Sequence, residues 1–221
     1  AFETAWLRSA ITAVDREAER HGAELVGCDL SAAAGPAQLT VTALGSIAAG
    51  GRPPGRDRAR AGQVLLLGGP CGGSLAVGRH LRPEPRGELG RWLHAAGATA
   101  MMDVSDGLAL DLWRLARASA VALELEAVPV HAHARRAARA SGRTPLWHAL
   151  HDGEDHELVA TIGATAWRRV RAEAASRFPA LRAIGRVERG SGLHLAASLA
   201  DAAGTPRAWT PSLGGWLHGR A

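Results

Sequence analysis

The chain has 221 residues, of which 47% are hydrophobic and 21% charged, and its formal net charge is +5. This composition is typical of a globular protein and excludes a disordered or fibrous chain, and the length suffices for one large domain or two smaller ones. No apolar run approaches the roughly 20 residues of a membrane span, and no signal-peptide pattern is present. We therefore expect a cytoplasmic protein with no membrane partner.

The positive charge does not by itself indicate nucleic-acid binding. All 26 basic residues are arginine, and they are dispersed along the chain without the interleaved aromatic residues of single-strand binders. A site for phosphorylated small molecules is served equally well by a positive field. We therefore expect no nucleic-acid partner. The two cysteines, Cys28 and Cys71, have no metal-binding spacing and predict reduced thiols.

The first part of the chain predicts one helix and two strands. Apolar residues recur at helical spacing over residues 2–21, and Gly22 ends the pattern. AELVG at 23–27 and QLTVTALGSI at 38–47 read as strands. A segment rich in Gly, Pro and Arg follows at 48–62 and predicts a domain boundary. Residues 1–55 are then the remainder of an N-terminal α/β domain, and residues 62–221 form a second, α+β domain.

The second part mixes strands and helices without strict alternation, which favours an α+β fold. Strands are predicted at 63–67, 98–103, 121–126, 157–162, 181–187 and 192–197. Helices are predicted after the glycine-rich GGPCGGS at 68–74, around Trp92, and at 108–119, 131–140 and 165–178. The strand at 121–126, in which V-L-L alternates with A-E-E, is expected at a sheet edge.

Acidic residues follow predicted strands or precede them at three places. These residues are Asp29, then Asp103 and Asp106 in MDVSDG, then Asp152, Glu154, Asp155 and Glu157 in HDGEDHEL. Mg²⁺ is usually held by one or two carboxylates together with substrate phosphates. For MDVSDG alone a local role, with Ser105 as a helix N-cap, stays equally open. Three such sites in one chain favour metal and phosphate chemistry.

Other motifs are less informative. GGPCGGS either cradles a phosphate with its backbone amides or forms a tight turn, and it lacks the ending of a Walker motif. The histidines have no zinc-binding spacing, and no Gly-x-Ser-x-Gly or Cys–His pattern predicts covalent catalysis.

The order of the motifs resembles the thiamine-monophosphate kinase family, which belongs to the superfamily of aminoimidazole ribonucleotide synthetase and selenophosphate synthetase. The resemblance is carried by VGCD at 26–29, VTALG at 41–45, RHLRPEPR at 79–86, ATAMMDVSDGLALDL at 98–112 and HDGEDHEL at 151–158. It implies a two-domain α+β fold in which the N-terminal domain binds ATP and Mg²⁺ and mediates a homodimer. It also implies transfer of the γ-phosphoryl group of ATP to thiamine monophosphate, through positioning and metal electrostatics rather than a catalytic side chain.

The same resemblance implies roles for eight residues. The metal ligands would be Asp29, Asp103 and Asp106; the nucleotide contacts Cys28, Arg56 and Ser105; and the substrate contacts Glu154 and Trp216.

Some features depart from the family pattern. The chain opens with Ala1, and the family's N-terminal Gly-Asp-Asp-Ala block has no counterpart in it, which predicts a fragment or a protein whose start was lost. Cys28 and Asp152 replace glycines, and His156 replaces a tyrosine. Two alternatives therefore stay open: a superfamily member with another phosphate acceptor, and a non-catalytic remnant that binds nucleotide without turnover.

Overall fold

The computed structural model describes residues 3–31, 34–47 and 51–216 and divides into two units, the first ending at Ser46 and the second beginning at Ile47. In the first unit, helix α1 spans Thr4–Arg20. It ends where the amides of His21 and Gly22 donate to carbonyls of the last helical turn, with Gly22 at a φ of +70°. The predicted first helix is thus confirmed over the described residues.

The two strands predicted in the first unit are wrong. Neither 23–27 nor 38–47 is a strand in the structure. Most of their apolar side chains are exposed, including Val26 at 83% and Leu44 at 88%. The alternating pattern identifies residues suited to a sheet, but a strand forms only where a neighbouring strand pairs its backbone groups. No described segment offers these two stretches such a neighbour.

The second unit is built on one seven-stranded sheet. Its strands are β1 (Gln63–Leu67), β2 (Ala98–Asp103), β3 (Ala122–Leu125), β4 (Leu158–Gly163), β5 (Arg182–Glu188), β6 (Gly192–Leu195) and β7 (Ala208–Trp209). Their order across the sheet is β2-β4-β1-β5-β3-β6-β7. All neighbours are antiparallel except β3 and β6, which are parallel. Mixed pairing without βαβ repeats confirms the α+β class.

Helices cover both faces of this sheet. They are α2 (Ser74–Val77), α3 (Gly87–Ala95), α4 (Leu108–Ser119), α5 (Ala132–Ser141), α6 (Pro145–His151), α7 (Ala164–Arg177) and α8 (Ala197–Ala203), with a short 3₁₀ helix at Arg79–Leu81. On β1, Leu65 and Leu67 belong to the core beneath α4, whereas Leu66 belongs to a second core with α3 and α7. Burial on both faces explains the unbroken apolar run of β1. Among the described helices, none combines the length and apolarity needed to cross a membrane.

Most elements of the second unit match their sequence prediction, with four exceptions among the strands and α-helices. The edge prediction for β3 is wrong, since β3 lies inside the sheet between β5 and β6. Alternation of polar and apolar residues indicates that one face of a strand is exposed, and it does not indicate how many neighbours the strand has. Helices α6 and α8 and strand β7 were not predicted. These elements are short, and their positions depend on packing that no local pattern encodes.

A close approach between β3 and β5 shapes the centre of the sheet. The pairing of β1 with β5 shifts register between Leu65 and Leu66, so β5 carries an extra residue there. At this bulge a Cβ on Gly185 would lie 2.1 Å from the Glu124 carbonyl oxygen. The position therefore admits no side chain without movement of the backbone.

We expect Gly185→Ala to lower the free energy of unfolding by about 1–3 kcal/mol, because the added methyl group forces the two strands apart. Gly163→Ala is the matched control, since a Cβ at that strand residue meets nothing within 4 Å. Urea unfolding of both variants and the wild type measures the difference. Equal stability of the two variants would contradict the close approach.

Candidate functional site

The MDVSDG loop joins the end of β2 to the start of α4, and a buried aspartate of α4 binds its main-chain amides. Asp111, only 1% exposed, accepts hydrogen bonds from the amides of Ser105 and Asp106, each at 2.9 Å. Arg114 pairs with Asp111 at 3.1 Å and also with Asp106. Burial raises the pKa of the Asp111 carboxyl, although the two amides and Arg114 oppose the rise. Ser105 is not the N-cap, because α4 is capped by Gly107.

The HDGEDHEL loop lies directly against the first loop through main-chain hydrogen bonds. The amide of Val104 donates to Glu157 O, that of His156 to Val104 O, and that of Glu154 to Ser105 O, at 2.7–2.8 Å. Glu154 and His156 adopt left-handed φ angles of 55° and 52°. Left-handed backbone in residues other than glycine is uncommon and often occurs at functional sites.

Gly153 allows the second loop to pack closely against the main chain of Ser105. A Cβ on Gly153 would lie 2.6 Å from Ser105 O, and its φ of +74° also favours glycine. The second loop therefore needs a glycine opposite Ser105.

Two buried acidic residues of the second loop are neutralised by arginines from the RHLRPEPR segment. Asp155 pairs with Arg79 at 2.5 Å, and Glu157, whose side chain is 2% exposed, pairs with Arg86. Burial raises the pKa of Asp155 to about 6, against the opposing effects of the Gly72 amide and Arg79. The desolvation cost of such buried charges is offset only when they are paired and hydrogen-bonded, as they are here.

Main-chain amides of the glycine-rich GGPCGGS segment bind two carboxylates of the HDGEDHEL loop. The Gly72 amide lies 2.9 Å from both carboxylate oxygens of Asp155, and the Gly73 amide donates to Asp152 Oδ2 at 2.8 Å. Burial, together with Asp155 and Glu157, raises the pKa of the Cys71 thiol. These amides bind carboxylates of the chain itself, so the structure supports the turn interpretation of GGPCGGS over a phosphate cradle.

The C-terminal GGW segment returns to the first loop. The Trp216 amide donates to Asp106 O at 2.8 Å, and a Cβ on Gly215 would lie 2.7 Å from Leu110 Cβ. The Trp216 side chain is 64% exposed beside the loop. A backbone contact therefore anchors this residue while its ring stays accessible.

The structure thus brings together five of the eight residues predicted for the site. Asp103, Ser105, Asp106, Glu154 and Trp216 belong to the three segments that meet here. They come from stretches separated by up to about a hundred residues, and main-chain hydrogen bonds join these stretches in the folded structure.

Of the other three predicted residues, one lies elsewhere in the second unit and two belong to the first unit. The Arg56 carbonyl accepts from Ser119 Oγ at the far end of α4, and a 12-residue helix separates its ends by about 17 Å. Cys28 and Asp29 are exposed residues of the first unit. The convergence of Asp29 with Asp103 and Asp106 therefore stays a prediction, as does a nucleotide contact of Arg56.

The carboxylates of the first loop suit part of a magnesium site. Asp103 is exposed at the end of β2, and Asp106 is half-buried three residues further along the chain. In the part of the chain that the structure describes, no cluster of three or more His, Cys, Asp or Glu side chains is arranged to hold a metal. Two carboxylates are nevertheless the number with which Mg²⁺ is commonly bound alongside phosphate oxygens.

A pocket of about 170 Å³ opens beside the second loop. Its lining includes Arg79, Arg82, Arg86, His131 and Glu154. Arg79 and Arg86 are already paired with buried carboxylates, whereas Arg82 has no ion pair with any residue that the structure describes. The pocket therefore combines a positive group with the predicted substrate contact Glu154.

Sequence reasoning missed the residues that hold the loops in place. Asp111, Arg114, Arg79 and Arg86 were not singled out, because an acidic residue inside a helix and arginines beside prolines are ordinary on a surface. The signal available was the DL pair that follows DVSDGLAL, where Asp111 falls on the apolar face of α4.

Comparison with known proteins identifies the family. No protein-family model matches the chain. The chain is 43% identical over 161 residues to the thiamine-monophosphate kinase of Rhodopirellula baltica, an alignment that covers 68% of this chain and 50% of that protein. The chain belongs to the thiamine-monophosphate kinase family. It spans about half the length of this curated relative.

Solved structures agree with the family assignment. A structure described as AaThiL complexed with AMPPCP and TMP matches with a TM-score of 0.59 and 29% identity, covering 75% of this chain and 54% of that one. The hydrogenase maturation protein HypE of E. coli matches with a TM-score of 0.54 at 22% identity, over 65% of this chain and 49% of that one, and shows the fold alone. The expected fold, of the aminoimidazole ribonucleotide synthetase type, is confirmed.

The raised pKa of Asp155 predicts how stability depends on pH. An unfolded aspartate has a pKa of about 3.9, so between pH ~4 and ~6 the folded state binds more protons than the unfolded state. We therefore expect the free energy of unfolding of the wild type to fall as pH rises through this window, relative to Asp155→Asn. Urea unfolding at several pH values measures the difference.

The control for this experiment is Asp201→Asn, which removes an exposed aspartate on α8. It should keep the pH dependence of the wild type. Parallel curves for the wild type and Asp155→Asn would contradict the assignment.

Proposed function

We propose that the protein to which this chain belongs is a thiamine-monophosphate kinase, which transfers the γ-phosphoryl group of ATP to thiamine monophosphate and yields thiamine diphosphate. The 43% identity to the Rhodopirellula baltica enzyme carries the proposal. A relative with the same fold has been solved with the ATP analogue AMPPCP and TMP, which supports ATP as co-substrate and thiamine monophosphate as acceptor. Residues 1–55 would then belong to the ATP- and Mg²⁺-binding domain, and the protein would form a homodimer through that domain.

In this proposal the first loop holds the metal. Asp103 and Asp106 would bind Mg²⁺, with Asp29 as a further ligand from the first unit. Mg²⁺ supplies neutralisation of the crowded phosphate charges when it is bound. Asp111 keeps the loop in shape through the Ser105 and Asp106 amides. Arg114 balances the charge of Asp106 and Asp111.

The nucleotide and the acceptor are assigned to neighbouring side chains. Ser105 would contact the nucleotide from the first loop, with Cys28 and Arg56 as further contacts. Glu154 would contact the acceptor, because the hydrogen bond from its amide to Ser105 O places it beside the same loop. Trp216, anchored by its amide on Asp106, would stack on the thiamine ring system.

Catalysis then depends on orientation and charge rather than on a covalent intermediate. The transition state of phosphoryl transfer is loose, and the protein forms no covalent bond to the transferred group. Positioning and charge stabilisation therefore supply most of the acceleration. Two alternatives to this kinase activity stay open: a superfamily member with another phosphate acceptor, and a non-catalytic remnant. The 22% identity to HypE concerns the fold and does not favour the first of these.

We expect Asp103→Asn to lower thiamine diphosphate formation by at least about 100-fold, since the amide keeps the size of the side chain but lacks the charge that Mg²⁺ needs. The assay uses ATP and Mg²⁺ with the longest form of the protein that the gene encodes. Asp201→Asn, an exposed aspartate on α8, is the matched control and should stay fully active.

Two outcomes of this assay would count against the proposal. Near-normal turnover of Asp103→Asn would exclude the metal role of that residue. A wild type that binds ATP but forms no product would favour the non-catalytic remnant.

We expect Trp216→Ala to raise the KM for thiamine monophosphate about 2- to 30-fold with little change in kcat. This range corresponds to about 0.5–2 kcal/mol for stacking against a cationic or aromatic ring. Trp216→Phe keeps a stacking surface and should stay close to the wild type. If both variants have the same KM as the wild type, the ring does not contact the substrate.

A further inference from the structure

Three side chains at the junction of α5 and α6 form a hydrogen-bonded chain that the proposed kinase reaction does not use. Ser141 Oγ lies 2.6 Å from His148 Nε2, and His148 Nδ1 lies 2.7 Å from Asp152 Oδ1. A serine hydroxyl on one imidazole nitrogen and a carboxylate on the other is the constellation of a Ser–His–Asp triad. Such triads recur on unrelated folds and are recognised by geometry rather than by sequence position.

The hydrogen bonds determine where the protons are. An ionised carboxylate only accepts, and Asp152 already accepts from the Gly73 amide through its other oxygen, at 2.8 Å. Neutral His148 must therefore carry its proton on Nδ1 and donate it to Asp152. Its Nε2 is then a lone pair, and the Ser141 hydroxyl donates to it. This is the tautomer that a general base needs in order to take the proton of the hydroxyl.

Local structure explains why the three groups meet. Ser141 is the last residue of α5, and Gly142, with a φ of +73°, turns the chain into the connection to α6. Thr144 caps α6, on which His148 lies four residues before Asp152, so both side chains share one helical face.

Burial separates the base from solvent and leaves the hydroxyl accessible. His148 is 6% exposed, and the Asp152 side chain is 15% exposed. Ser141 is exposed at the helix end. A reagent in solution can therefore reach the oxygen, while the imidazole is held by partners on both sides.

We propose that Ser141, His148 and Asp152 form a relay that makes Ser141 Oγ a nucleophile toward small activated acyl esters. The oxygen attacks the ester carbonyl carbon as its proton passes to His148 Nε2. The bond between that carbon and the leaving oxygen breaks, and the leaving oxygen takes the proton from the imidazolium. The products are an acyl ester on Ser141 and a free alcohol, with His148 neutral again and Asp152 unchanged.

The surroundings of Ser141 limit this chemistry to slow acylation. The C-terminus of α5 places partial negative charge beside the hydroxyl, which does not stabilise an oxyanion. The Arg143 amide donates to Ser141 Oγ at 3.1 Å and is the donor closest to the reacting oxygen. We therefore expect stoichiometric acylation of one serine rather than rapid turnover.

The test is incubation of the full chain with p-nitrophenyl acetate, followed by release of p-nitrophenolate and peptide mapping by mass spectrometry. We expect one acetyl group per chain on the peptide that contains Ser141, and its loss in Ser141→Ala. The chain has no lysine, so the side chains that compete for acylation are mainly its ten histidines and the exposed thiol of Cys28.

Two further variants separate the relay from general reactivity of a serine. His148→Gln should slow acetylation of Ser141 by about 100-fold or more, because it removes the general base. Asp152→Asn should slow it as well, and it serves as the second variant if His148→Gln does not fold. Ser176→Ala removes an exposed serine on α7 and should leave the rate unchanged.

Either of two results overturns the proposal. One is acetylation that is equal in the wild type and in Ser141→Ala, or that maps to Cys28 and other residues instead. The other is an unchanged rate of Ser141 acetylation in folded His148→Gln and Asp152→Asn, which would reduce the three side chains to a structural link between α5 and α6.

Discussion

The contact on which the candidate site depends is the main-chain pairing between the loop after β2 and the loop before β4. Three amides, of Val104, Glu154 and His156, donate across it. Gly153 is required because a side chain would occupy the position of Ser105 O. This pairing continues the antiparallel ladder of β2 and β4 beyond the ends of both strands. The sheet thus extends into the loops, so it fixes the loop geometry much as it fixes the strands.

Buried charge then holds the paired loops against the rest of the unit. The Asp111 carboxylate accepts hydrogen bonds from two main-chain amides of the first loop. In the second loop, Asp155 pairs with Arg79 and Glu157 pairs with Arg86. Removing one partner of such a pair leaves an uncompensated charge in the interior, which is more costly than losing a surface ion pair. Separating any of these acidic residues from its partner is therefore expected to destabilise the fold.

The residues of the acidic loop have different partners. Asp155 and Glu157 are bound to the glycine-rich turn and to arginines, and Glu154 is hydrogen-bonded to the first loop, while all three line the pocket. Asp152 starts the loop and joins it to His148 and to the Gly73 amide. One short segment therefore links the predicted kinase site to the Ser141 relay. A change in either region has a direct covalent and hydrogen-bonded route to the other.

The sequence by itself determined the strands and helices of the second unit, because their apolar periodicity is local and strong; β1 and α4 match their predicted bounds. It also indicated the family, through the resemblance in the order of its motifs, and the comparison with known proteins confirms that family. It failed at 38–47, where a strand pattern has no neighbour to pair with. Only the tertiary structure decided which residues meet. Asp111 and the arginines act through burial and distance, and His148 faces Ser141 across a turn. Burial and distance are set by packing, both for partners far apart in the chain, such as Asp155 and Arg79, and for partners seven residues apart, such as Ser141 and His148.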